Sequence, residues 1–250
     1  MIKVDTLVML SKPFDSYLHN VYSQNGEDGV IAELLQRLAR GSVDLSNWCV
    51  EYGAWDGKHL SNTFALVEKG WKAVYIEGDS LKYKDLLATV ERYPGIVPVE
   101  AFVARESGDP SSLGELLANT PLPKNFDLLS IDIDSYDLET WEGLNSYEPK
   151  LVVIEINSSI PPGTFHRCDE NMSGNSFSST LEVAHHKGYE LVCHTGNMIF
   201  VKSELISSIN MESLYIKNPN LLFDSGWLPS PLRSIRILLG KMKSRLAYFR

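Results

Sequence analysis

The fold is decided by Tyr189-Glu-Leu-Val-Cys-His-Thr-Gly-Asn-Met-Ile-Phe-Val201, in which two apolar runs flank Thr195-Gly196. A glycine-containing turn of two or three residues between two strands predicts an antiparallel hairpin. The strand-like runs before it are short, nearly continuous in apolar residues and separated by segments with helical spacing. That pattern predicts parallel strands in one sheet, covered by helices on both faces.

The order of elements then predicts the fold class. The predicted strands are 48–53, 72–77, 96–103, 126–133 and 151–156, and the predicted helices are 30–40, 60–68, 81–92, 113–117, 138–144 and 178–187. A parallel sheet that finishes in a hairpin is the strand arrangement of class I S-adenosylmethionine-dependent methyltransferases, whereas the NAD-binding arrangement stays parallel. We therefore predict an α/β fold, a class I methyltransferase (Rossmann-like) doubly wound sheet, mostly parallel and ending in an antiparallel hairpin. The predicted parts are an N-terminal cap and helix (1–45), a methyltransferase domain (46–203) and a C-terminal extension with a basic amphipathic tail (204–250).

Composition narrows the class of protein. With 44% hydrophobic residues the chain of 250 residues is not a disordered one, and its net charge of -9 argues against a general nucleic-acid binder. No apolar run approaches the roughly 20 residues that cross a bilayer, and the first ten residues do not resemble a signal peptide. Three cysteines without CxxC spacing predict reduced thiols in a cytoplasmic protein.

The charge is unevenly distributed. Residues 225–250 contain six basic side chains and no acidic one, a charge of +6 that leaves -15 for the rest of the chain. From Leu232 to Phe249 apolar residues recur at helical spacing among the basic ones, which predicts peripheral contact of residues 229–250 with an anionic inner membrane face. The alternatives are an ordinary terminal helix packed on the acidic domain and a frayed tail.

The ends of the first two strands predict a nucleoside site. Ligands of open α/β sheets bind beyond the carboxyl ends of the strands. There the chain reads Glu51-Tyr-Gly53-Ala-Trp-Asp-Gly57, an ExGxxxG pattern that disfavours the pyrophosphate grip of GxGxxG. The two glycines allow a sharp turn, either beside a ligand or simply into the next helix. Glu77 ends the second strand, where an acid accepts both hydroxyl protons of a ribose or is merely exposed. Together Glu51, Gly53, Gly57 and Glu77 fit S-adenosylmethionine.

A second set of polar residues follows the fourth and fifth predicted strands. Asp132, Asp134, Glu155 and Asn157 converge if these strands are neighbours. Several acids in one cleft require a cation, a shared proton or substrate amines. Oxygen ligands suit Mg²⁺, which would hold an acceptor hydroxyl and lower its pKa. The alternative is that Asp132 bonds the cofactor or backbone amides while the other acids face solvent.

Two histidines are candidates for acid–base chemistry. His166 lies in a long polar loop, residues 157–176, from which it can act as a general base near neutral pH. His194 ends a strand near the same edge. A structural or surface role is the alternative for both.

Several of these stretches together resemble the FkbM-type methyltransferases, over roughly residues 20–202. The resemblance is carried by Tyr22-Ser-Gln-Asn-Gly-Glu-Asp28, Val50-Glu-Tyr-Gly-Ala-Trp-Asp-Gly57 with Ser61-Asn-Thr63, Gly70-Trp71 through Ile76-Glu77, and Ile131-Asp-Ile-Asp134. It implies S-adenosylmethionine as methyl donor and a hydroxyl of a sugar or secondary metabolite as acceptor, often in surface-glycan pathways. The chain departs from the family where Asp134-Ser135-Tyr136 replaces the usual Glu-Gly after the strand Asp.

The resemblance also implies roles for single residues. Glu51 and Gly53 would lie against the methionine part, Glu77 on the ribose and Asp132 on the sulfonium side. The cofactor would be covered from the amino-terminal segment by Ser23, Gln24 and Asp28. Divalent-metal O-methyltransferases of the same fold place acids at the ends of the same two strands, which keeps magnesium as a cofactor prediction. For the base that removes the acceptor proton we predict Asp134 or His166.

The predicted function is thus S-adenosylmethionine-dependent O-methylation of a sugar or glycan-linked small-molecule hydroxyl, with metal assistance left open. The alternative is a non-catalytic Rossmann-like binding module that docks on a membrane or partner through the basic tail. An NAD-linked oxidoreductase is disfavoured because GxGxxG is missing and the sheet ends in a hairpin.

Overall fold

The computed structural model describes residues 12–133 and 135–229. Seven strands form one sheet in the order β3-β2-β1-β4-β5-β7-β6. They are β1 (Trp48–Tyr52), β2 (Lys72–Glu77), β3 (Ile96–Glu100), β4 (Leu128–Ile131), β5 (Leu151–Glu155), β6 (Tyr189–His194) and β7 (Asn197–Lys202). Strands β1 to β5 pair in parallel, while β7 is antiparallel to both β5 and β6. This confirms the predicted class I methyltransferase layout.

Helices cover both faces of the sheet. They are α1 (Glu27–Arg40), α2 (Phe64–Val67), α3 (Ser80–Val90), α4 (Leu113–Ala118), α5 (Asp137–Gly143), α6 (Phe177–His186), α7 (Ile206–Ile209) and α8 (Ser213–Lys217). Apolar side chains of α1, α2, α3 and α7 form one buried cluster with the sheet, and those of α4, α5, α6 and α8 form the other. None of the helices in the described ranges has the length and apolar character to cross a membrane.

The second predicted helix begins later than the sequence pattern indicates. Helical spacing predicts a start at Leu60, but α2 begins at Phe64. Leu60 has a left-handed backbone with φ +57°, and residues 61–63 form a loop whose polar groups bond the buried Glu51. A helical geometry across 60–63 would break those bonds, so tertiary contacts override local spacing here.

Two predictions fall on residues outside the described ranges. Asp134 is one of them. The amphipathic membrane helix predicted within 229–250 is the other, since the description ends at Pro229. Both remain predictions.

Candidate active site

Two adjoining cavities lie at the carboxyl edge of the sheet, where the strand order reverses between β1 and β4 and where α/β folds bind ligands. The β1–β3 cavity, about 630 Å³, is lined by residues 51–55, His59, Leu60, residues 76–79, Lys82, residues 101–103, Asp132, Ile133 and Ser135. The β4–β7 cavity, about 510 Å³, is lined by Gln24, Asn25, Leu60, Asn62, Asp132, residues 155–159, Ser173, Gly174, Gly196, Asn197, Trp227 and Pro229. Leu60 and Asp132 belong to both, so ligands in the two cavities would meet there.

Gly53 allows β1 and β4 to approach each other at the floor of the site. Its φ is +80°, and a Cβ added to it would lie 1.8 Å from the carbonyl oxygen of Asp132. The N–H groups of Gly53 and Ala54 both donate to the carbonyl of Ile76, at 3.0 and 3.1 Å. The glycine is therefore required by a contact between strands, and the turn that follows it lines the β1–β3 cavity.

Glu77 is held rigidly at the end of β2. Its carboxylate accepts hydrogen bonds from the backbone N–H groups of Trp55 and Asp79, each at 2.8 Å and each on a different oxygen. The side chain is 7% exposed and lines the β1–β3 cavity. Each carboxylate oxygen has a second lone pair, so Glu77 retains the capacity to accept from two ligand hydroxyls.

Apolar surface faces the same cavity. Phe102 is 77% exposed, and Ala101 and Val103 on either side of it also line the cavity with Trp55. Large exposed aromatic groups inside a concave site are typical of ligand contacts. The sequence analysis predicted that 101–103 belong to a strand, but β3 ends at Glu100. Residues 101–103 lie outside the sheet and line the cavity.

The loop between β1 and α2 stores backbone strain. Trp55 and Leu60 have φ values of +44° and +57°, a region that non-glycine residues rarely adopt. Such residues cost about 1–3 kcal/mol each and cluster at ligand sites. Trp55 and Leu60 both line the cavities, so the strained backbone lies at the candidate site itself.

Glu51 supports the loop from below. Its carboxylate accepts from the hydroxyls of Ser61 and Thr63, both at 2.5 Å, and from the Asn62 N–H at 3.0 Å. Burial raises the pKa of Glu51 to about 7, and the nearby charge of Asp132 acts in the same direction. Glu51 lines the β1–β3 cavity, and the polar contacts of its carboxylate fix residues 61–63. Its predicted contact with the methionine part of the cofactor stays a prediction.

Three of the four predicted metal ligands lie in one cavity. Asp132, Glu155 and Asn157 all line the β4–β7 cavity. The carboxamide oxygen of Asn157 accepts from the backbone and hydroxyl of Ser159, and its amide donates to the Ser173 carbonyl. Within 12–133 and 135–229 no three His, Cys, Asp or Glu side chains group as metal ligands, and Asp134 lies outside those ranges. Magnesium stays a prediction.

The amino-terminal residues expected over the cofactor have other contacts. The Asp28 carboxylate accepts from the backbone N–H groups of residues 21–23, and Ser23 Oγ accepts from the Asp28 N–H at 3.0 Å. These two residues therefore close the turn that leads into α1. Gln24 is exposed and lines the β4–β7 cavity instead of the β1–β3 cavity.

Glu27, within the same motif, was not singled out from the sequence. It is fully buried, and its Oε1 accepts from Thr195 Oγ1 at 2.6 Å and Asn197 Nδ2 at 3.2 Å. Its Oε2 accepts from the Asn25 N–H at 2.7 Å. Glu27 therefore ties the start of α1 to the β6–β7 turn and places Gln24 and Asn25 on the cavity wall. Its place in the motif that precedes the predicted helix 30–40 was the only signal available.

The two histidine candidates differ in position. His166 lines neither cavity; its Nε2 is 3.2 Å from the carbonyl of Met172, within the 157–176 loop. His194 is buried, and burial, followed by the charge of Lys12, lowers its pKa to about 4. Its ring nitrogens contact Ser158 Oγ and the Asp224 N–H. The structure thus brings neither histidine ring to the boundary between the cavities.

No protein-family model and no curated protein matches the sequence. The structure is similar to that of WbdD, a bifunctional kinase-methyltransferase, with 14% identity over 72% of this chain and a TM-score of 0.45. This chain spans only 40% of the length of WbdD.

Two further solved structures are similar. One is a SAM-dependent methyltransferase from Aquifex aeolicus, with 12% identity, coverage of 67% of this chain and 86% of that one, and a TM-score of 0.39. The other is M. capricolum TrmK in complex with S-adenosyl-homocysteine, with 14% identity, coverage of 86% and 84%, and a TM-score of 0.42. At these identities and scores, function has to be argued from the geometry of the two cavities.

Proposed function

We propose that this chain is an S-adenosylmethionine-dependent O-methyltransferase of the FkbM type. The observation that carries the proposal is the pair of cavities that meet at Leu60 and Asp132, on the edge of the sheet where strand order reverses. One cavity has the features of a nucleoside site and the other is polar and open enough for an acceptor. Transfer between two substrates requires such a shared boundary.

The residues of the β1–β3 cavity fit the cofactor. Glu77 would accept the ribose hydroxyls, and the apolar surface of Phe102 would cover the base. Asp132, at the boundary, would lie on the side of the positively charged sulfur. The quoted motifs that resemble the FkbM-type family supply Glu51, Gly53, Glu77 and Asp132 to this cavity, which supports the family assignment.

The β4–β7 cavity fits a hydroxylated acceptor. Amides of Gln24, Asn62 and Asn157 and the hydroxyls of Ser158 and Ser159 are among its lining groups. Groups of this kind hydrogen-bond hydroxyls in both directions, which supports a sugar or glycan-linked small molecule.

S-adenosylmethionine supplies a methyl group that is already activated, so the chain itself has to align an acceptor oxygen and receive its proton. Leu60 and Asp132 border both cavities, so the acceptor oxygen would approach the methyl group past these two residues. We propose Asp134, two residues beyond Asp132, as the proton acceptor on the sequence alone. His166 is the weaker candidate because it lines neither cavity.

The cofactor assignment is tested by calorimetry with S-adenosylmethionine on the wild-type chain, Glu77→Gln and Glu100→Gln. Glu100 is the matched control: it faces Glu77 in the β2–β3 register, is exposed and lies outside both cavities. Loss of a charged acceptor for two hydroxyls predicts roughly 10- to 100-fold weaker binding for Glu77→Gln. Glu100→Gln should stay within about twofold, as for an exposed substitution.

Two results would contradict the assignment. Wild-type protein that takes up no S-adenosylmethionine would leave the non-catalytic binding module as the better description. Equal affinities for the two variants would remove Glu77 from the ribose. Membrane or partner docking through 229–250 remains a prediction from the charge pattern of that tail.

A further inference from the structure

We propose that the Ser158 hydroxyl recognises the acceptor in the β4–β7 cavity by accepting a hydrogen bond from it, and so selects a ligand hydroxyl at that position. His194 is the positioning residue that fixes this direction. The inference rests on the proposed function and deepens it, because it assigns a specificity-determining residue to the acceptor site. Its basis is a chain of three hydrogen bonds that joins residues 158, 194, 196 and 224.

Ser158 follows β5 and lines the β4–β7 cavity. Its backbone N–H donates to the carbonyl of Ile156 at 3.0 Å, and the residue is 6% exposed. A serine hydroxyl has one hydrogen and two lone pairs with which it forms hydrogen bonds. The bonds that the protein itself makes to this hydroxyl therefore decide what Ser158 can offer to a ligand.

His194 has a defined tautomer. The backbone N–H of Asp224 lies 2.9 Å from Nδ1, and because a backbone N–H only donates, Nδ1 carries no proton. The neutral ring therefore carries its proton on Nε2. Burial, followed by the charge of Lys12, lowers the pKa of His194 to about 4, which keeps the ring neutral near pH 7.

Aromatic packing holds the imidazole in one orientation. Phe223 stacks on it at 4.8 Å between ring centroids, and Phe177 packs against it at 5.7 Å with the ring planes nearly perpendicular. Turning the imidazole over about its Cβ–Cγ bond would place carbon atoms where the two nitrogens now form hydrogen bonds. The buried ring would then lose both partners, so the observed orientation is the favoured one.

The directions of the other two hydrogen bonds follow from this tautomer. Nε2 lies 2.8 Å from Ser158 Oγ, so its N–H donates to one lone pair of the hydroxyl. The hydroxyl donates its own hydrogen to the carbonyl of Gly196, also at 2.8 Å, because a carbonyl oxygen only accepts. Among the described residues this hydroxyl has no other partner, so one lone pair remains. A ligand that bonds it without breaking the chain must therefore donate, as a hydroxyl does and an ether or a fluorine does not.

The same directions distinguish Ser158 from a nucleophilic serine. A nucleophilic serine is activated by a neighbouring base that takes its proton. Here the nitrogen that faces Ser158 already carries a proton, and the unprotonated nitrogen accepts from the Asp224 N–H on the other side of the ring. The contact between Ser158 and His194 therefore serves recognition and not covalent chemistry.

The tautomer is tested without any ligand, by ¹⁵N NMR of the histidine rings in the wild-type protein, with His194 assigned from its absence in a His194→Gln variant. We expect Nδ1 to be unprotonated and Nε2 to be protonated at pH 7. A proton on Nδ1 would overturn the inference, because Ser158 could then donate to Nε2 and would no longer be held as an acceptor.

The recognition is tested by titration of the protein saturated with S-adenosylhomocysteine, followed by saturation-transfer NMR. The probes are methyl hexopyranosides, their uronates, and analogues in which fluorine replaces one hydroxyl at a time; fluorine cannot donate. The wild type is compared with Ser158→Ala and Ser178→Ala. Ser178 is the matched control, because it is a buried serine whose Oγ accepts from the Gly163 N–H at 2.7 Å and it lines neither the β1–β3 nor the β4–β7 cavity.

In the wild type and in Ser178→Ala, fluorine at one or more positions should weaken binding about tenfold, as for the loss of a donor to a buried acceptor. In Ser158→Ala the same replacement should change the affinity less than about threefold, since the acceptor is gone. Affinity for S-adenosylhomocysteine should be equal in all three proteins.

Two variants of His194 test its positioning role. His194→Phe keeps an aromatic ring beside Phe223 but removes both hydrogen bonds, so the Ser158 hydroxyl can turn and the preference for hydroxyl over fluorine should fall. His194→Gln retains an amide N–H for Ser158 and should restore most of that preference. A merely structural role would weaken hydroxyl and fluorine ligands alike and leave the ratio of their affinities unchanged, which would contradict the assignment.

Failure of this inference is distinct from failure of the proposed function. It is overturned if no probe binds to protein that holds S-adenosylhomocysteine, if no fluorine replacement distinguishes Ser158→Ala from the wild type, or if Ser178→Ala loses the preference as fully as Ser158→Ala. Wild-type protein that binds neither S-adenosylmethionine nor S-adenosylhomocysteine would instead remove the proposed function beneath it.

Discussion

The two cavities of the site are built in different ways. The β1–β3 cavity rests on strand ends and on backbone groups, as where Glu77 accepts from two backbone N–H groups and Gly53 touches the Asp132 carbonyl. The β4–β7 cavity is assembled from segments far apart in sequence that are joined by side chains, chiefly Glu27 and His194. The β1–β3 cavity is therefore tied to the sheet itself, while the β4–β7 cavity depends on a few polar side-chain bonds.

The largest expected effect comes from the strand contact under the β1–β3 cavity. Gly53→Ala would place its methyl carbon 1.8 Å from the Asp132 carbonyl oxygen and impose a φ of +80° on alanine. Backbone strain and overpacking together should lower the free energy of unfolding by roughly 4 kcal/mol. Urea unfolding measures the loss.

Gly70→Ala separates the two causes. Gly70 has a φ of +90° but nothing within 4 Å of an added Cβ, so only strain applies, at about 1–2 kcal/mol. If both variants lost the same stability, the contact between β1 and β4 would not be what stabilises the β1–β3 cavity.

The next effect is a pH dependence of the free energy of unfolding, caused by Glu51. Burial raises its pKa from 4.5 to about 7, so between these values the folded chain binds more protons than the unfolded one. Stability should therefore fall as pH rises from about 4.5 to about 7, by roughly 3 kcal/mol, and then level off.

Glu51→Gln should remove this slope. Asp137, whose pKa burial raises to about 6, contributes a slope of the same sign, so the quantity to follow is the difference between the variant and the wild type. Urea unfolding at several pH values provides it. A variant with the full wild-type slope would mean that the carboxylate beneath residues 61–63 titrates normally.

The smallest of the three effects tests the β4–β7 cavity. Glu27→Gln weakens a buried, charged acceptor of three hydrogen bonds, which should cost about 2 kcal/mol. Amide exchange should increase at residues 20–26 and 195–197, while affinity for S-adenosylmethionine is retained. Glu33→Gln, which loses one helical pair with Arg37, should cost only about 0.3–0.5 kcal/mol. A loss of cofactor affinity in Glu27→Gln would show that the two sides are not independent.

The sheet was predictable from sequence because its strands are buried on both faces. Predicted strands 72–77 and 189–194 have the observed bounds, and Thr195-Gly196 marks the hairpin correctly. Errors occur where a distant group decides local structure. The Glu51 carboxylate, ten to twelve residues away, holds 61–63 out of a helix that local spacing favours.

The site was predictable to the extent that it sits on those strands. Glu77 and Asp132 were predicted as site residues because strand ends define the ligand edge, and both line the β1–β3 cavity. Phe102 and Trp227 were missed because a lone aromatic residue in a loop has no periodic signal, and only tertiary placement turns it toward a cavity. Glu27 was overlooked for the same reason: its partners lie 168 and 170 residues away.

That distance has a consequence for how the molecule acquires its shape. Contacts between residues so far apart form only after a long loop has closed, which makes them late events in folding. The described lining residues of the β1–β3 cavity end at Ser135, whereas Gln24 and Asn25 reach their places only once the final hairpin has paired. A chain emerging from the ribosome should thus complete the β1–β3 cavity first and the β4–β7 cavity last.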